Sequence, residues 1–328
     1  MNIKNRIDLL KEKVLQGGEV TLDEARELIG AEDEAAVRYL AAAAHEITLF
    51  FHSNKPLLCS LINAKSYLCG EDCAFCSQSV HFNTGIERFG LLDADSVVVA
   101  AKAAEEKGAN SFCVVTSGLG PSEEDFEKLI GIFERLNRET RLRIDCSVGV
   151  LTREQAVRMR EAGVRQVNHN LQTSREFYSR IVTTHDYETR RRTLRALREG
   201  GLEICSGGIF GMGESREDRL KLAFELKEFC PECVPLNFLN ARPGTPLEGA
   251  APVDPLEAVR TVSVFRFVHP RANIKLAGGR EGNLGQYQEL ALRGGANGLV
   301  IGGYLTTQGN AVRADFEMLT RTGYCVDQ

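Results

Sequence analysis

Three cysteines in one short stretch are the residues of this chain best placed to do chemistry. Cys69, Cys73 and Cys76 form a C-x3-C-x2-C arrangement. Structural zinc sites use four protein ligands and favour paired C-x2-C spacings, so an isolated trio fits zinc poorly. Three thiolates on a four-iron cube leave one iron without a protein ligand, where a small chelating molecule can bind. The spacing therefore favours an iron–sulfur cluster, and three incidental buried cysteines are the alternative.

The cysteine stretch follows the first of eight short apolar runs, each followed by a helical pattern. The predicted strands are 57–63, 111–116, 142–149, 164–169, 202–209, 233–239, 272–277 and 298–302. Eight such units predict an α/β fold, a closed (β/α)8 TIM-type barrel with active-site loops after its strands. An open doubly wound sheet is the alternative, but its early G-x-G-x-x-G turn is absent. We expect an N-terminal helical extension over 1–52, with Thr21 as an N-cap, and a barrel domain over 53–328.

Composition limits the partners of the chain. Its 328 residues are 43% hydrophobic, and the formal net charge is -5. Basic residues are interspersed among acidic ones, so we expect no nucleic-acid partner. The apolar stretches are shorter than the ~20 residues that span a bilayer, so we expect no membrane insertion. Ten cysteines without a recognisable signal peptide predict a cytoplasmic protein whose thiols stay reduced.

A second group of cysteines lies inside predicted strands. Cys113, Cys146 and Cys205 occupy the early part of the second, third and fifth strands. A lone strand cysteine is usually a small core residue. If these three side chains point inward, however, they meet in one layer low in the barrel, because inward residues of neighbouring strands stack in layers.

Polar residues mark the fourth strand, and small residues mark the end of the fifth. Asn168, Asn170 and Gln172 alternate, which predicts one shared face, and buried amides need partners such as a polar ligand. His169 lies between them, and we expect it to point away from the barrel centre as a hydrogen-bonded structural residue. The glycines between Gly207 and Glu214 would allow the backbone to approach a planar ligand closely.

Four motifs together resemble the radical S-adenosylmethionine enzymes and, within them, the biotin synthase family. They are Tyr67–Ser79, Asn168–Ser174, Cys205–Glu214 and Gly278–Glu281. The resemblance covers essentially the whole barrel. It implies that Cys69, Cys73 and Cys76 hold a [4Fe-4S] cluster whose open iron is chelated by S-adenosylmethionine, and that one-electron reduction releases a 5'-deoxyadenosyl radical. The implied activity is sulfur insertion into dethiobiotin, a sulfurtransferase reaction that ends biotin biosynthesis.

The same resemblance assigns individual contacts to the cofactor and the substrate. Phe75 and Ile209 would contact the adenine, with Glu214 in the adenine-side segment. Thr116 and Ser117 would lie near the methionyl amine, and Arg190 near the methionyl carboxylate. Gln172 stands where some relatives carry an aspartate for the ribose hydroxyls. Asn170 and Asn237 would bind the ureido ring of dethiobiotin, and Asn170 would also reach the ribose.

An auxiliary iron–sulfur cluster that donates the sulfur is also implied, with Cys113, Cys146 and Cys205 as ligands. Lys275 stands where most of the family carry an arginine ligand, either in that ligand position or beside the cluster as a cation. Cys59 and Cys233 stand where familiar members carry serine. We therefore favour a four-iron auxiliary cluster with Cys59 or Cys233 as a further ligand. A [2Fe-2S] cluster, with both as packing residues, is the alternative.

Other functions and partners follow from these expectations. A hydrogenase-maturase-like or methylornithine-forming radical enzyme is one alternative, although neither would need the strand cysteines. An iron–sulfur electron-transfer or cluster-carrier protein is another. Expected partners are an electron donor such as flavodoxin or ferredoxin, the iron–sulfur assembly machinery, and a second copy of the chain in a homodimer. Cys230 and Cys325 have no expected role.

Overall fold

Nine parallel strands close into a barrel in the computed structural model, which describes residues 2–67 and 69–326. Met1, Leu68, Asp327 and Gln328, which belong to the predicted extension, cysteine motif and barrel domain, lie outside the described residues. The strands are β1 (Leu57–Lys65), β2 (Ser111–Thr116), β3 (Arg143–Ser147), β4 (Gln166–Asn168), β5 (Glu203–Cys205), β6 (Gly208–Phe210), β7 (Cys233–Phe238), β8 (Asn273–Leu276) and β9 (Gly298–Val300). Neighbours pair in the order β5-β4-β3-β2-β1-β9-β8-β7-β6, and a β5–β7 pairing closes the ring. The predicted (β/α)8 barrel is confirmed.

Helices surround the barrel and precede it. They are α1 (Ile3–Leu15), α2 (Leu22–Ile29), α3 (Glu34–Phe51), α4 (Ala94–Glu106), α5 (Glu123–Glu139), α6 (Arg153–Glu161), α7 (Arg175–Tyr178), α8 (Tyr187–Glu199), α9 (Arg216–Lys227), α10 (Pro255–Val268), α11 (Arg280–Leu284), α12 (Gln288–Leu292) and α13 (Val312–Arg321), with a 3-10 turn at Gly285–Tyr287. Within the two described ranges, no helix combines the length and apolarity needed to cross a membrane.

The N-terminal helices are held to the barrel by a shared core. The predicted cap at Thr21 is present as a capping box with Glu24, which satisfies amide groups at the start of α2. Ile7, Leu40 and Ala44 are fully buried in the same continuous core as the residues between the strands and the outer helices. α3 packs against α10, so the extension covers that side of the barrel. Its boundary at residue 52 stays a prediction.

Alternation along the strands separates two environments. On β2 and β3, the apolar side chains of Phe112, Val114 and Ile144 face the outer helices. The intervening side chains face the barrel interior, where polar groups and thiols collect, because successive residues of a strand point to opposite faces. Strand phase therefore decides which residues can reach a ligand in the barrel.

The fifth predicted strand, 202–209, is broken into β5 and β6 at Ser206 and Gly207. β5 pairs with β4 and β7, whereas β6 pairs with β7 and is bridged to the segment after β4. A Cβ on Gly207 would lie 1.9 Å from the carbonyl oxygen of Pro235, so glycine is needed for the backbone to pass this close to β7. The break accounts for nine strands in place of the expected eight.

Candidate active site and cluster pockets

Two adjoining cavities occupy the barrel. The smaller, about 210 Å³, lies beside the cysteine loop and is lined by Cys69, Cys73 and Cys76. The larger, about 340 Å³, extends down to Cys59 and Lys275. Several side chains line both cavities, so a ligand beside the cysteine loop would lie next to the space for a second ligand deeper in the barrel.

Backbone hydrogen bonds shape the cysteine loop. The amide of Cys76 donates to the Cys73 carbonyl at 2.9 Å, and the amide of Val80 donates to the Cys69 carbonyl at 2.9 Å. Burial raises the pKa of Cys73 to about 12 and also raises the pKa of Cys76. Such thiols lose their protons readily only when a cation is bound beside them. Cys69, Cys73 and Cys76 are thus held beside one cavity, where a bound metal would favour their deprotonated forms.

The donor set fits a cluster better than a single ion. Among the described residues, no group of three His, Cys, Asp or Glu side chains is placed to hold one metal ion. Cys69, Cys73 and Cys76 nevertheless line one cavity. Ligands of a four-iron cluster bind different irons and need not converge on a point, so the trio fits such a cluster.

Unpartnered polar atoms in the barrel point to a polar ligand. Asn168 Oδ1, His169 Nε2 and Gln172 Oε1 are buried without a hydrogen-bond partner in the described chain, and all three residues line the smaller cavity. Buried polar groups normally have partners, so a ligand with several hydrogen-bonding groups fits here. The expectation that His169 points away from the barrel centre is wrong, because the residue lines the cavity, but its ring is hydrogen-bonded to the backbone of Gly149 as a structural histidine would be. Its burial, together with Arg190, lowers its pKa well below the ordinary value.

The structure brings most of the predicted cofactor residues together around the smaller cavity. The predicted cofactor residues that line this cavity are Phe75, Thr116, Ser117, Asn170, Gln172 and Arg190. Ile209 and Asn237 line the larger cavity instead. β4 ends at Asn168, so Asn170 and Gln172 reach the cavity from a loop and not by strand alternation, and Gln172 has φ 74°.

Glu214 departs from its predicted position. It lines neither cavity, and its carboxylate accepts hydrogen bonds from the Gly211 amide at 2.9 Å and the Met212 amide at 2.8 Å. Arg219 Nε donates to the same carboxylate at 2.9 Å. The carboxylate is therefore occupied in fixing the turn after β6, and the expected direct contact with a cofactor is not supported.

The two predicted substrate amides are held by the backbone, Asn170 through its oxygen and Asn237 through both its oxygen and its nitrogen. Asn170 Oδ1 accepts from the Gly207 amide at 3.1 Å. Asn237 Oδ1 accepts from the Gly278 amide at 3.0 Å, and its Nδ2 donates to the Gly208 carbonyl at 3.1 Å. The oxygens are thereby occupied, so both side chains present mainly N–H donors to the cavity, as a ligand carbonyl would require.

Four thiols face the barrel interior below the larger cavity. They are Cys59 and Cys113, which line that cavity at its lower end, and Cys205 and Cys233, which are buried beside Lys275 and, like the first two, lie outside the core shared with the outer helices. Cys205 is in register with Cys233 on the adjacent strand, and their side chains are hydrogen-bonded. Of the strand positions predicted as auxiliary ligands, Cys113 and Cys205 are brought together with Cys59 and Cys233.

Lys275 lies among these thiols. It is 5% exposed and has no hydrogen bond or ion pair within the described chain. Burial acts to lower its pKa, but the neighbouring Cys205, Cys59 and Cys233, together with the nearby carboxylate of Asp145, raise it well above the ordinary value. A buried ammonium without a partner needs a negative group. This donor set and its cation fit an anionic iron–sulfur cluster.

Cys146 is the exception among the predicted ligands. It lies opposite Val114 in the β2–β3 pairing, is 0% exposed, and packs in the outer core with Ile144. Its neighbours on the inward face of β3 are Asp145 and Ser147, and Ser147 lines the cavities. The thiol therefore points away from the interior, and its assignment as an auxiliary ligand is contradicted by the phase of β3.

Asp145 holds the inward position that Cys146 was expected to fill. It is in register with Cys113 and 3% exposed, and Arg143 Nε donates to its Oδ1 at 3.1 Å. Sequence reasoning missed it. The signal was present, because β3 alternates polar residues (Arg143, Asp145, Ser147) with apolar ones and a ligand-binding interior takes the polar face.

Comparison with known proteins shows two matched families and several full-length relatives. Residues 64–226 match the Radical SAM superfamily, and residues 235–325 match the Biotin and Thiamin Synthesis associated domain. A biotin synthase of Carboxydothermus hydrogenoformans is 46% identical over 321 residues, covering 97% of this chain and 98% of its own. A biotin synthase of Nitrosopumilus maritimus is 43% identical over 313 residues, covering 95% and 96%.

Solved structures with the same fold are more distant in sequence. A methylornithine synthase superposes with a TM-score of 0.84 at 20% identity, covering 97% of both chains. An [FeFe]-hydrogenase maturase of Carboxydothermus hydrogenoformans gives 0.82 at 18% identity, covering 98% of this chain and 79% of its own. At these identities the likeness concerns the fold alone.

Proposed function

The chain belongs to the biotin synthase family of radical S-adenosylmethionine enzymes, and on that premise we propose that it inserts sulfur into dethiobiotin to form biotin. The observation that carries the proposal is the cavity in which a three-thiol loop adjoins unpartnered polar atoms above a floor of thiols. A cluster carrier would have no use for Asn168 and Gln172 in such a cavity. The methylornithine-forming and hydrogenase-maturase alternatives share the fold but only 20% and 18% identity.

At the upper site, Cys69, Cys73 and Cys76 would hold the [4Fe-4S] cluster, and S-adenosylmethionine would lie in the smaller cavity. When bound and reduced, this pair supplies one-electron chemistry that removes hydrogen atoms from the substrate. The role of the protein side chains is to bind S-adenosylmethionine and the substrate and to orient them toward each other. Arg190 would bind the methionyl carboxylate, and the orphaned oxygens of Asn168 and Gln172 would accept from the cofactor's hydroxyl and amine groups.

Substrate orientation falls to two amides. The N–H groups of Asn170 and Asn237 would donate to the ureido carbonyl of dethiobiotin. Their oxygens are anchored to backbone amides at 3.1 and 3.0 Å, so neither amide can rotate without breaking a hydrogen bond. Such fixed donors lower the entropic cost of holding a reacting carbon in place.

For the auxiliary cluster we propose the four inward thiols, Cys59, Cys113, Cys205 and Cys233, with Lys275 beside it as a cation. Four thiolates support a four-iron cluster, whereas a [2Fe-2S] cluster remains the alternative if two of them only pack. Counting iron and acid-labile sulfide in anaerobically reconstituted protein separates the two, since about eight irons per chain are expected for two four-iron clusters and about six for the alternative.

The overall reaction is tested by anaerobic incubation with dethiobiotin, S-adenosylmethionine and a reductant. Biotin and 5'-deoxyadenosine should form together. Formation of 5'-deoxyadenosine without biotin would reject the substrate, and formation of neither by protein with full iron content would reject the reaction class. We further propose a cytoplasmic location, flavodoxin or ferredoxin as electron donor, contact with iron–sulfur assembly proteins, and a homodimer.

A further inference from the structure

A continuous chain of hydrogen bonds links the cysteine loop to Arg190. Glu71, between the first two cysteines of the loop, contacts His185 Nδ1 through Oε2 at 2.5 Å. His185 Nε2 lies 2.9 Å from the Tyr178 hydroxyl. Arg190 Nε donates to that hydroxyl at 2.6 Å, and Arg190 Nη1 donates to the Asn170 carbonyl at 3.2 Å. Four side chains thus join the loop to the cavity.

The direction of every bond in this chain is determined. Arg190 can only donate, so the Tyr178 oxygen accepts and its proton must go to His185 Nε2. His185 is then neutral, and its Nδ1–H donates to Glu71. Burial, followed by the charge of Arg190, lowers the pKa of His185, in keeping with the neutral ring. Because no donor and acceptor in this series can exchange roles, the hydrogen bonds hold Glu71 and Arg190 in one relative geometry.

The Glu71 end of the chain is rigid. The neighbouring Asp72 accepts from the amides of Thr183 and Thr184 at 2.9 and 3.2 Å, and Thr184 Oγ1 also donates to Glu71 at 2.6 Å. The amide of Ala74 donates to the Ile181 carbonyl at 2.8 Å. The cysteine loop is therefore clamped to the segment that carries His185.

The other end has no comparable support. Arg190 makes no ion pair within the described chain, and its neighbours on α8 bind elsewhere, Arg191 to Glu228 and Arg192 to Thr189. Among residues 2–67 and 69–326, the guanidinium is hydrogen-bonded to the Tyr178 hydroxyl and to one backbone carbonyl, and the ring of Tyr178, at 5.8 Å, adds a weak contact. Removing the hydroxyl would release half of that support.

We propose that Glu71, His185 and Tyr178 are positioning residues that couple the cysteine loop to Arg190, so that the loop orders the site for the methionyl carboxylate. This inference rests on the proposed function. It identifies a route by which the cysteine loop, through its own residue Glu71 and then His185 and Tyr178, orients the guanidinium that would bind the cofactor's anionic group.

The decisive variant is Tyr178→Phe, with Tyr187→Phe as matched control. The ring of Tyr187 packs edge-on against that of Tyr178, with the centroids 5.2 Å apart, and both residues are buried. The Tyr187 hydroxyl donates to Glu225, which is not part of the hydrogen-bonded series from Glu71 to Arg190. In anaerobically reconstituted protein of unchanged iron content, we expect the dissociation constant for S-adenosylmethionine to rise about tenfold in Tyr178→Phe, the loss of about one hydrogen bond to a charged group. Tyr187→Phe should stay within about twofold.

Further measurements separate positioning from a general loss of stability. His185→Phe should weaken binding to the same degree, and Tyr178→Phe/His185→Phe should be no weaker than either single variant, because the residues act in series. At saturating S-adenosylmethionine the turnover rate should be unchanged. Equal dissociation constants for Tyr178→Phe and wild type, or additive effects in the double variant, would overturn the relay. Failure of wild-type protein to bind S-adenosylmethionine would instead reject the proposed function.

Discussion

Replacing Cys146 by alanine should leave both clusters intact, although the family resemblance places a ligand there. The thiol is 0% exposed and packs in the outer core beside Ile144, whereas Asp145 occupies the inward position of β3. The matched variants are Cys233→Ala and Cys113→Ala, which remove inward thiols of the same size from neighbouring parts of the barrel.

The expected magnitudes follow from these surroundings. Cys146→Ala removes one buried sulfur from a well-packed core, which should lower the free energy of unfolding by about 1 kcal/mol. Cys233→Ala deprives the proposed auxiliary cluster of a ligand, so iron content should fall from about eight to about four per chain if the cluster is lost. The upper cluster, held by separate cysteines, should survive in all three variants.

The assay is iron and acid-labile sulfide content after anaerobic reconstitution, together with urea unfolding of the reconstituted proteins. Biotin formation should persist in Cys146→Ala and be lost in Cys233→Ala and Cys113→Ala, while cleavage of S-adenosylmethionine continues in all. If Cys146→Ala loses auxiliary iron and Cys233→Ala keeps it, the inferred phase of β3 and the four-thiol ligand set are both refuted.

Three further predictions concern the scaffold. Gly207→Ala should lower the free energy of unfolding by about 3 kcal/mol, because its Cβ would lie 1.9 Å from the Pro235 carbonyl oxygen, whereas Gly131→Ala, in open space on α5, should be neutral or stabilising in the same urea titration. Asp315→Leu should cost about 1.5–3 kcal/mol by removing the carboxylate that accepts from Arg280 Nη2 at 2.6 Å, since Glu281 at 3.4 Å still offsets part of the buried charge, and a cost below about 1 kcal/mol would contradict this. Burial lowers the pKa of His269 to about 4, so the unfolded chain takes up this proton first, and the contribution of His269 to stability should decline as pH falls from about 6.5 to 4, by at most about 1.4 kcal/mol per pH unit. His269→Gln, which can still donate to the Ala223 carbonyl, should make the overall decline less steep by that share, while buried histidines such as His169 still contribute. An unchanged slope would exclude His269 as one of its sources.

Local features of the site could be predicted from the sequence. The three-cysteine loop is defined by spacing alone, and it follows β1 as expected. The N-cap at Thr21 is likewise a contact between residues three positions apart. The cysteine loop and the N-cap both depend on residues that are close together in the sequence, so their spacing can be read from the sequence itself.

Features that depend on distant contacts could not be predicted in the same way. Glu214 looked like a cofactor residue, but Arg219 and two backbone amides take up its carboxylate. The break at Gly207 depends on how closely β7 approaches, a distance that no local pattern reports. The prediction that Cys146 is a cluster ligand was wrong for a different reason. The family resemblance matched a cysteine at this position without regard to the face of the strand on which its side chain lies.

The phase of β3 also has a consequence for how such barrels change over time. Deleting one residue ahead of Asp145 within β3 would exchange the faces, carrying the Cys146 thiol to the floor and the carboxylate to the outer layer, because side chains alternate with a period of two. Loss of a single codon could thus convert one set of floor donors into another without any new cysteine. The cluster that a barrel of this kind can bind therefore depends on which face of each strand its cysteines lie on, as well as on how many cysteines it has.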